Sequence, residues 1–244
     1  MSKKPFFIIM FLLFSSCTIS NASYGGVTLS AWTDKPPTID GVHQLSEWGD
    51  ADSVDFSTDN DPPYNGTIHV MNDAENLYIF IEFEYEGTHG SVKIFFDNDN
   101  DEDEWDEDDD GLCFEWSPTG DEFRDIHYSA WDTDSSIDGE GVATSSPGYK
   151  RVEFSHPLNS GDTKDFSLVI GDTVGFQIMT AFQNTGYWPP QAQTTNDIII
   201  AGPPEEEPVG GELSSQSLLP VSSVIIATVV ALTGYSMLGR RKLD

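Results

Sequence analysis

"NLYIFIEFEY", residues 76–85, decides the fold of this chain. Leu77, Ile79, Ile81, Phe83 and Tyr85 fall on one parity, and Tyr78, Phe80, Glu82 and Glu84 on the other. A side-chain period of two marks a β-strand with one face against a core. "VGFQIMTAF", residues 174–182, repeats the pattern, with Val174, Phe176, Ile178, Thr180 and Phe182 alternating with Gly175, Gln177, Met179 and Ala181. Working outward, shorter strands are predicted at Thr67–Met71, Val92–Phe96, Leu112–Trp116, Ile126–Trp131, Lys150–Ser155 and Asp197–Ile200. Asn72-Asp73, Asn159-Ser160-Gly161-Asp162 and Gly171-Asp172 supply turn chemistry between them. No long stretch carries helical periodicity. Eight or more short strands with this punctuation predict an all-β fold, an antiparallel β-sandwich.

The predicted sandwich domain, residues 27–202, lies between two apolar ends. Residues 1–22 have the build of a cleaved signal peptide: Lys3 and Lys4, the apolar run Phe6 to Phe14, then Ser20-Asn21-Ala22 as the cleavage site. Leu218 to Leu238 carries no charge and is followed by Arg240, Arg241 and Lys242. About 20 apolar residues span a bilayer, and a basic cluster stays on the cytoplasmic side. Residues 218–238 are therefore expected to form a transmembrane helix and 239–244 a cytoplasmic tail. Residues 203–217 read as an acidic stalk rich in Pro, Gly and Ser. Its Val209-Gly210-Gly211-Glu212 step resembles the anchors of archaeal surface proteins. The expected location is the cell surface, with the domain outside and the C-terminal helix holding it in the membrane.

Charge narrows the partners. Between Ser23 and Ser217 there are 41 Asp and Glu against 6 Lys and Arg, a balance of −35. Such a surface excludes nucleic acid and anionic membrane surfaces as partners. The acidity peaks in "DNDNDEDEWDEDDD", where eleven carboxylates occupy the fourteen positions from Asp97 to Asp110. Calcium takes six to eight oxygen ligands, and alternate loop carboxylates supply them. Asp97, Asp99, Asp101 and Asp103 stand at positions 1, 3, 5 and 7 of such a loop, and Asp108 at position 12. The loop departs from an EF-hand: Glu102 replaces the turn glycine, position 12 is not Glu, and no helices flank it. A calcium loop between two strands is the expectation, with a merely solvated acidic loop as the alternative. Cys113 is the only cysteine left after signal cleavage, so no intrachain disulfide is expected. Asn65-Gly66-Thr67 is a glycosylation sequon.

Three segments carry a resemblance. "PTIDGVHQLSEWGDADSVDF" (residues 37–56), "NDAENLYIFIEFEY" (72–85) and "VEFSHPLNSGDTKDFSLVIGDTVGFQI" (152–178) are similar to the signatures of family 9 carbohydrate-binding modules and the wider DOMON-like superfamily. The likeness covers roughly residues 36 to 200 and implies the sandwich fold. It also implies that Ile39 and Trp48 are core anchors. Family 9 modules hold a sugar between two tryptophans, which directs attention to Trp188 in "NTGYWPPQ" and Trp105 in the acidic run, with Tyr187, Trp131 and Gln183 as secondary candidates. Flat rings against pyranose faces, with polar groups for the hydroxyls, are what sugar binding requires. The same superfamily contains b-type haem carriers resembling the haem-binding subunits of ethylbenzene dehydrogenase. With no Cys-x-x-Cys-His present, haem b in electron transfer is the alternative, with axial candidates Met179, Met71, His127, His156 and His69. Where such relatives have Arg before the Pro-Leu step, this chain has His156. No Gly-x-Ser-x-Gly, His-Glu-x-x-His or phosphate-binding glycine loop occurs. The sequence thus points to a non-catalytic surface module that binds an extracellular glycan or small ligand.

Overall fold

The parity read at residues 76–85 persists in space. Leu77, Ile79, Ile81 and Phe83 are buried in one apolar core, and the alternate side chains lie on the other face of the strand. Residues 26–98, 109–127, 132–134, 136–182, 184–190 and 195–205 are described in a computed structural model of the chain. The elements in chain order are β1 (Thr28–Leu29), α1 (Leu45–Trp48), β2 (Asp52–Ser57), β3 (Asn65–Asn72), β4 (Asn76–Glu84), β5 (Gly90–Asp97) and β6 (Asp110–Ser117). There follow β7 (Gly120–His127), β8 (Asp132–Thr133), β9 (Glu140–Ser146), β10 (Tyr149–Pro157), β11 (Thr173–Ala181), β12 (Thr185–Trp188) and β13 (Asn196–Ile199).

Two sheets form. The larger has the order β1-β13-β11-β5-β6-β7-β8, with β12 also on β11, and the smaller the order β2-β3-β4-β10-β9. Among the described strands every pairing is antiparallel except β1 with β13 at the edge, which is parallel. The core collects the inward parity of both sheets: Ile79, Ile81 and Phe154 from the smaller, Ile94, Phe114 and Phe176 from the larger. Of the strand expected at Ile126–Trp131, Ile126 and His127 lie at the end of β7, which begins six residues earlier at Gly120, and residues 128–131 lie outside the described residues. A tight turn folds β7 back on β6, pairing Ser117 with Gly120 and Leu112 with Asp125. Its outward residues Glu122 and Arg124 are charged and its inward set holds only one apolar side chain, Phe123, which hides the period from sequence.

The 31–51 segment lies on the outer face of the smaller sheet. Trp48, Met71, Tyr78 and Phe80 form a second apolar cluster there, with Ala31, Ile39 and Ala51 against it. A buried carboxylate ties this layer down. Glu153 of β10 is fully buried; its Oε1 accepts from Trp48 Nε1 at 2.9 Å, and its Oε2 accepts the backbone N–H groups of Asp40 and Gly41 at 2.6 Å each. Gly41 adopts φ +76°, and a Cβ there would stand 2.6 Å from Thr144 Cγ2. Only glycine meets both demands. The core anchors implied for Ile39 and Trp48, and the Asp40-Gly41 turn, are thus parts of one lock.

The described residues through Pro204 belong to one compact unit. The expected signal peptide, most of the stalk, the 218–238 helix and the tail lie outside the described residues, among which no helix is long and apolar enough to cross a membrane.

Replacing Glu153 with Ala strands three N–H donors in an apolar layer, at a cost of about 1–3 kcal/mol for each unsatisfied group. Glu153→Ala is therefore expected to lower unfolding stability in urea by about 3 kcal/mol or more, with Glu153→Gln milder because one acceptor oxygen survives. A loss below about 0.5 kcal/mol for the alanine variant, the range of ordinary surface changes, would remove the lock from this account.

Candidate functional site

Three strands carry a charged side chain on their inward parity at the same end of the sandwich. Asp110 opens β6 on the parity of Leu112, Phe114 and Trp116; Asp125 follows Phe123 on β7; His156 follows Val152 and Phe154 on β10. Asp165, in the β10–β11 connection just before core residue Phe166, joins them. All four are buried, Asp125 and His156 completely. His156 Nε2 lies 3.5 Å from Asp165 Oδ2 and 3.9 Å from Asp125 Oδ2. One ligand atom from each of Asp110, His156 and Asp165 falls within 4.8 Å of the others, and the same holds for Asp125, Asp138 and Asp165.

Part of this cluster is satisfied by hydrogen bonds. Gly111 N–H donates to Asp110 Oδ1 at 2.5 Å and Phe166 N–H to Oδ2 at 3.3 Å, while Asp138 N–H donates to Asp125 Oδ2 at 2.9 Å. His156 Nδ1 meets the Pro157 carbonyl at 2.8 Å. His156 Nε2, Asp125 Oδ1 and Asp165 Oδ2 are buried without a hydrogen bond. Among the described residues no Lys or Arg pairs with Asp110, Asp125 or Asp165; their one ionisable counterpart is His156. Burial, with the neighbouring carboxylates, pushes the Asp110 carboxyl up to about 7 and the Asp125 carboxyl up to about 6. For His156, burial favours the neutral ring, but Asp165, Asp110 and Asp125 outweigh it and hold its pKa above the ordinary value. For Asp165, burial is outweighed by contacts with His156 and Ser160, so its carboxyl sits below the ordinary range.

At the opposite end, aromatic rings close the sandwich. Phe182 stacks on Tyr85 at 4.1 Å between centroids, meets Tyr64 edge-on at 4.6 Å and lies 5.2 Å from Trp116. Gly90 makes room for it: a Cβ there would come within 2.0 Å of the Phe182 ring. Beside these rings an open groove of about 710 Å³ runs onto the outer face of the larger sheet. Its walls include Ser91, Glu115, Ser117, Asp121, Glu122 and Phe182. Arg124 pairs with Glu115 next to it. Volumes of about 300–1,000 Å³ are typical of small-ligand clefts.

The residues singled out from sequence are scattered. Trp188 and Tyr187 occupy opposite faces of β12. Trp188 is half-buried and points inward, its ring 5.7 Å from Phe56 and 6.0 Å from Phe176. Tyr187 packs on the outer-face cluster of Phe95, Cys113, Ile126 and Met179, and Asp59 Oδ1 accepts its N–H at 2.8 Å. Trp105, Trp131 and Gln183 lie outside the described residues, as do Asp99, Asp101, Asp103 and Asp108; Asp97 is buried at the end of β5. Of the haem candidates, Met71 and His69 sit on the outer face of the smaller sheet, Met179 on the outer face of the larger, and His156 between the sheets. His127, at the end of β7, accepts from Lys164 Nζ at 2.6 Å. Asp110, Asp125 and Asp165 are a group that the sequence reading does not single out. The readable signal was a charged residue on the apolar parity of neighbouring strands, at one end of each.

No protein-family model and no curated protein sequence matches the chain. Solved structures do. A family 9 carbohydrate-binding module from Caldicellulosiruptor kristjanssonii in complex with cellotriose superposes with a TM-score of 0.51 at 17% identity, over 76% of this chain and 98% of that one. A structure of a family 9 module from the same organism in complex with glucose gives 0.50 at 16% identity, over 74% and 99%. The chain has a fold like that of the family 9 carbohydrate-binding modules. That likeness bears out the all-β sandwich expected from the strand pattern and the Ile-Asp-Gly, Leu-Tyr and Pro-Leu signatures.

The buried end of the sandwich makes stability depend on pH in a definite direction. Asp110 and Asp125 bind protons more tightly folded than unfolded, so raising the pH from 3.8 towards 6–7 favours the unfolded chain. His156 contributes stability below pH 6.5 that is lost as the pH rises through its raised folded value. Asp165 acts in the other sense, but only below pH 3.8. In EDTA the melting temperature is therefore expected to be higher near pH 5 than near pH 7.5, and Asp110→Asn to flatten the slope. A melting temperature that rises across this window would contradict the assignment.

Proposed function

We propose that the domain is a non-catalytic carbohydrate-binding module, held outside the cell by the acidic stalk and the C-terminal helix, with a glycan seated in the Phe182 groove. The observation that carries this reading is the groove's lining. Glu115, Asp121 and Glu122 offer acceptors for sugar hydroxyls, Ser91 and Ser117 offer donor–acceptor hydroxyls, and Phe182 offers an apolar ring edge. That pairing of polar anchors with apolar surface is the chemistry of saccharide recognition. The fold supports it, since the two structures it resembles are modules described in complex with cellotriose and with glucose. Tyr187 lies on the same outer face as Ala181, which lines the groove. It is therefore the sequence-predicted aromatic best placed to extend the site, while Trp188 supports β12 from inside.

The acidic run fits the same picture as a calcium loop. Its feet, Asp97 and Asp109, are buried where β5 and β6 pair. Eleven carboxylates repel one another unless a cation neutralises them, and Asp97, Asp99, Asp101, Asp103 and Asp108 would supply the oxygens.

Titration calorimetry of the full chain against cello-oligosaccharides, followed by a glycan panel, tests the reading. Wild type is expected to bind at least one saccharide. Asp121 is exposed, so Asp121→Ala should weaken binding by about 1.5–3 kcal/mol, roughly 10- to 100-fold, without shifting the melt. Absence of binding across the panel, or an unchanged affinity in Asp121→Ala, sinks the groove assignment. For the loop, calcium is expected to raise the melting temperature of chelated protein, and the Asp101→Asn, Asp103→Asn double variant to lose that response. A double variant that responds to calcium like wild type would leave the run merely solvated.

A further inference from the structure

The cluster at the other end of the sandwich is not part of the groove and does not depend on the glycan reading. Its chemistry is unusual for a domain interior. Three carboxylates and an imidazole face one another with no Lys or Arg partner among the described residues, and three of their polar atoms make no hydrogen bond. A buried charge needs a counter-charge, and a half-satisfied polar network is costly.

The tautomer of His156 sharpens the point. The Pro157 carbonyl can only accept, so the 2.8 Å contact places a hydrogen on Nδ1. With the ring neutral, the bare lone pair of Nε2 is turned towards Asp165 and Asp125; with the ring protonated, one imidazolium still faces three carboxylates. Water could satisfy these acceptors but brings no charge. A cation satisfies both. Donors each about 2.0–2.2 Å from one ion stand no more than about 4.4 Å apart. The 3.5 and 3.9 Å separations from Nε2 are longer than a well-formed hydrogen bond and fall inside that limit. A second interaction that fixes the imidazole through Nδ1 is the usual arrangement for a histidine ligand.

We propose that Asp110, His156 and Asp165, with Asp125 and Asp138 beside them, form a buried site for one divalent transition ion of the Mn²⁺ or Zn²⁺ class, clamping the two sheets together. The donor set decides the class, because carboxylates suit hard ions while an imidazole nitrogen favours first-row transition metals over calcium. The ion would join β6 and β7 of one sheet to β10 of the other and to the β10–β11 connection, a union otherwise made by Phe96, Phe154 and Phe166 packing nearby.

The test uses the full chain, stripped with EDTA, incubated separately with Mn²⁺, Zn²⁺ and Ca²⁺, desalted and assayed for metal. Wild type is expected to retain one equivalent of Mn²⁺ or Zn²⁺ with a raised melting temperature, and Asp165→Asn to lose affinity by about tenfold or more. In the Mn²⁺ form, electron spin-echo spectra should show nitrogen modulation that disappears in His156→Asn. If that variant fails to fold, the wild-type nitrogen signal and Asp165→Asn decide the matter. The Asp101→Asn, Asp103→Asn double variant, which disables the proposed calcium loop, should keep its Mn²⁺. No retained transition ion, retention of calcium alone, a spectrum without nitrogen, or loss of Mn²⁺ in the loop variant would each overturn the site. Metal content is read without any sugar present, so a failed glycan screen leaves this result standing.

Discussion

Glu153 is the hinge on which the N-terminal third of this domain turns. One carboxylate on the outer face of β10 receives three N–H groups from a segment more than 100 residues away in the chain. Those donors would otherwise be stranded beneath Trp48 and Ile39, which cover Met71, Tyr78 and Phe80. Burial still pushes the Glu153 carboxyl above its ordinary value despite the hydrogen bonds, because the layer that supplies the donors also removes the water. The lock is therefore strong only when complete. The Asp40-Gly41 turn, the indole and the carboxylate make a unit whose parts have little value alone.

Excess negative charge is handled differently on the surface and inside. On the surface, Arg151 meets Glu82 and Arg124 meets Glu115, both partly exposed and so worth little to stability. Most other acidic groups among the described residues face solvent. Inside, charge cannot be left to solvent. Glu153 is met by N–H dipoles, and the Asp110, Asp125 and Asp165 group by His156 and a few N–H groups. Cys113 is buried and free beside Phe95 and Met179, and its thiol is pushed up to about 12, chiefly by burial.

The strands with strong alternation were legible. β4 and β11 were read within a residue or two of their observed ends, because every second side chain is apolar and the flanking turns are explicit. The first six residues of β7 are not legible, because its outward face carries Glu122 and Arg124 and its inward face includes Asp125. β2, β9 and β12 carry too few apolar residues on one parity to announce themselves, and β12 exists because Tyr187 and Trp188 pair along Met179 and Ile178. The site was less legible for a related reason. Residue type and loop context mark an aromatic as a candidate, whereas the face it occupies depends on register. That sends Trp188 inward and Tyr187 outward, one residue apart. Asp110 was counted as one of eleven loop carboxylates, although it belongs to the strand and to its inward parity.

The two ends of the sandwich are closed by opposite physics, and this has a consequence for cooperativity. Rings close one end, with Lys150 set 4.5 Å over Trp116 and Phe182 filling the space left by Gly90. Apart from the Lys150 ammonium, that closure rests on apolar burial, which needs no counter-ion. Carboxylates and one imidazole close the other, and like charges there must be neutralised by protons or by a cation before β6, β7 and β10 can approach. The acidic end is thus the one whose closure depends on protons or a cation. Local opening should begin at Asp110, Asp125 and His156, where the acidic run enters β6, because there the free energy of closure is set by what the solvent supplies. A domain with so little positive charge draws cations towards itself, so the solvent's cations are at hand where that closure is decided.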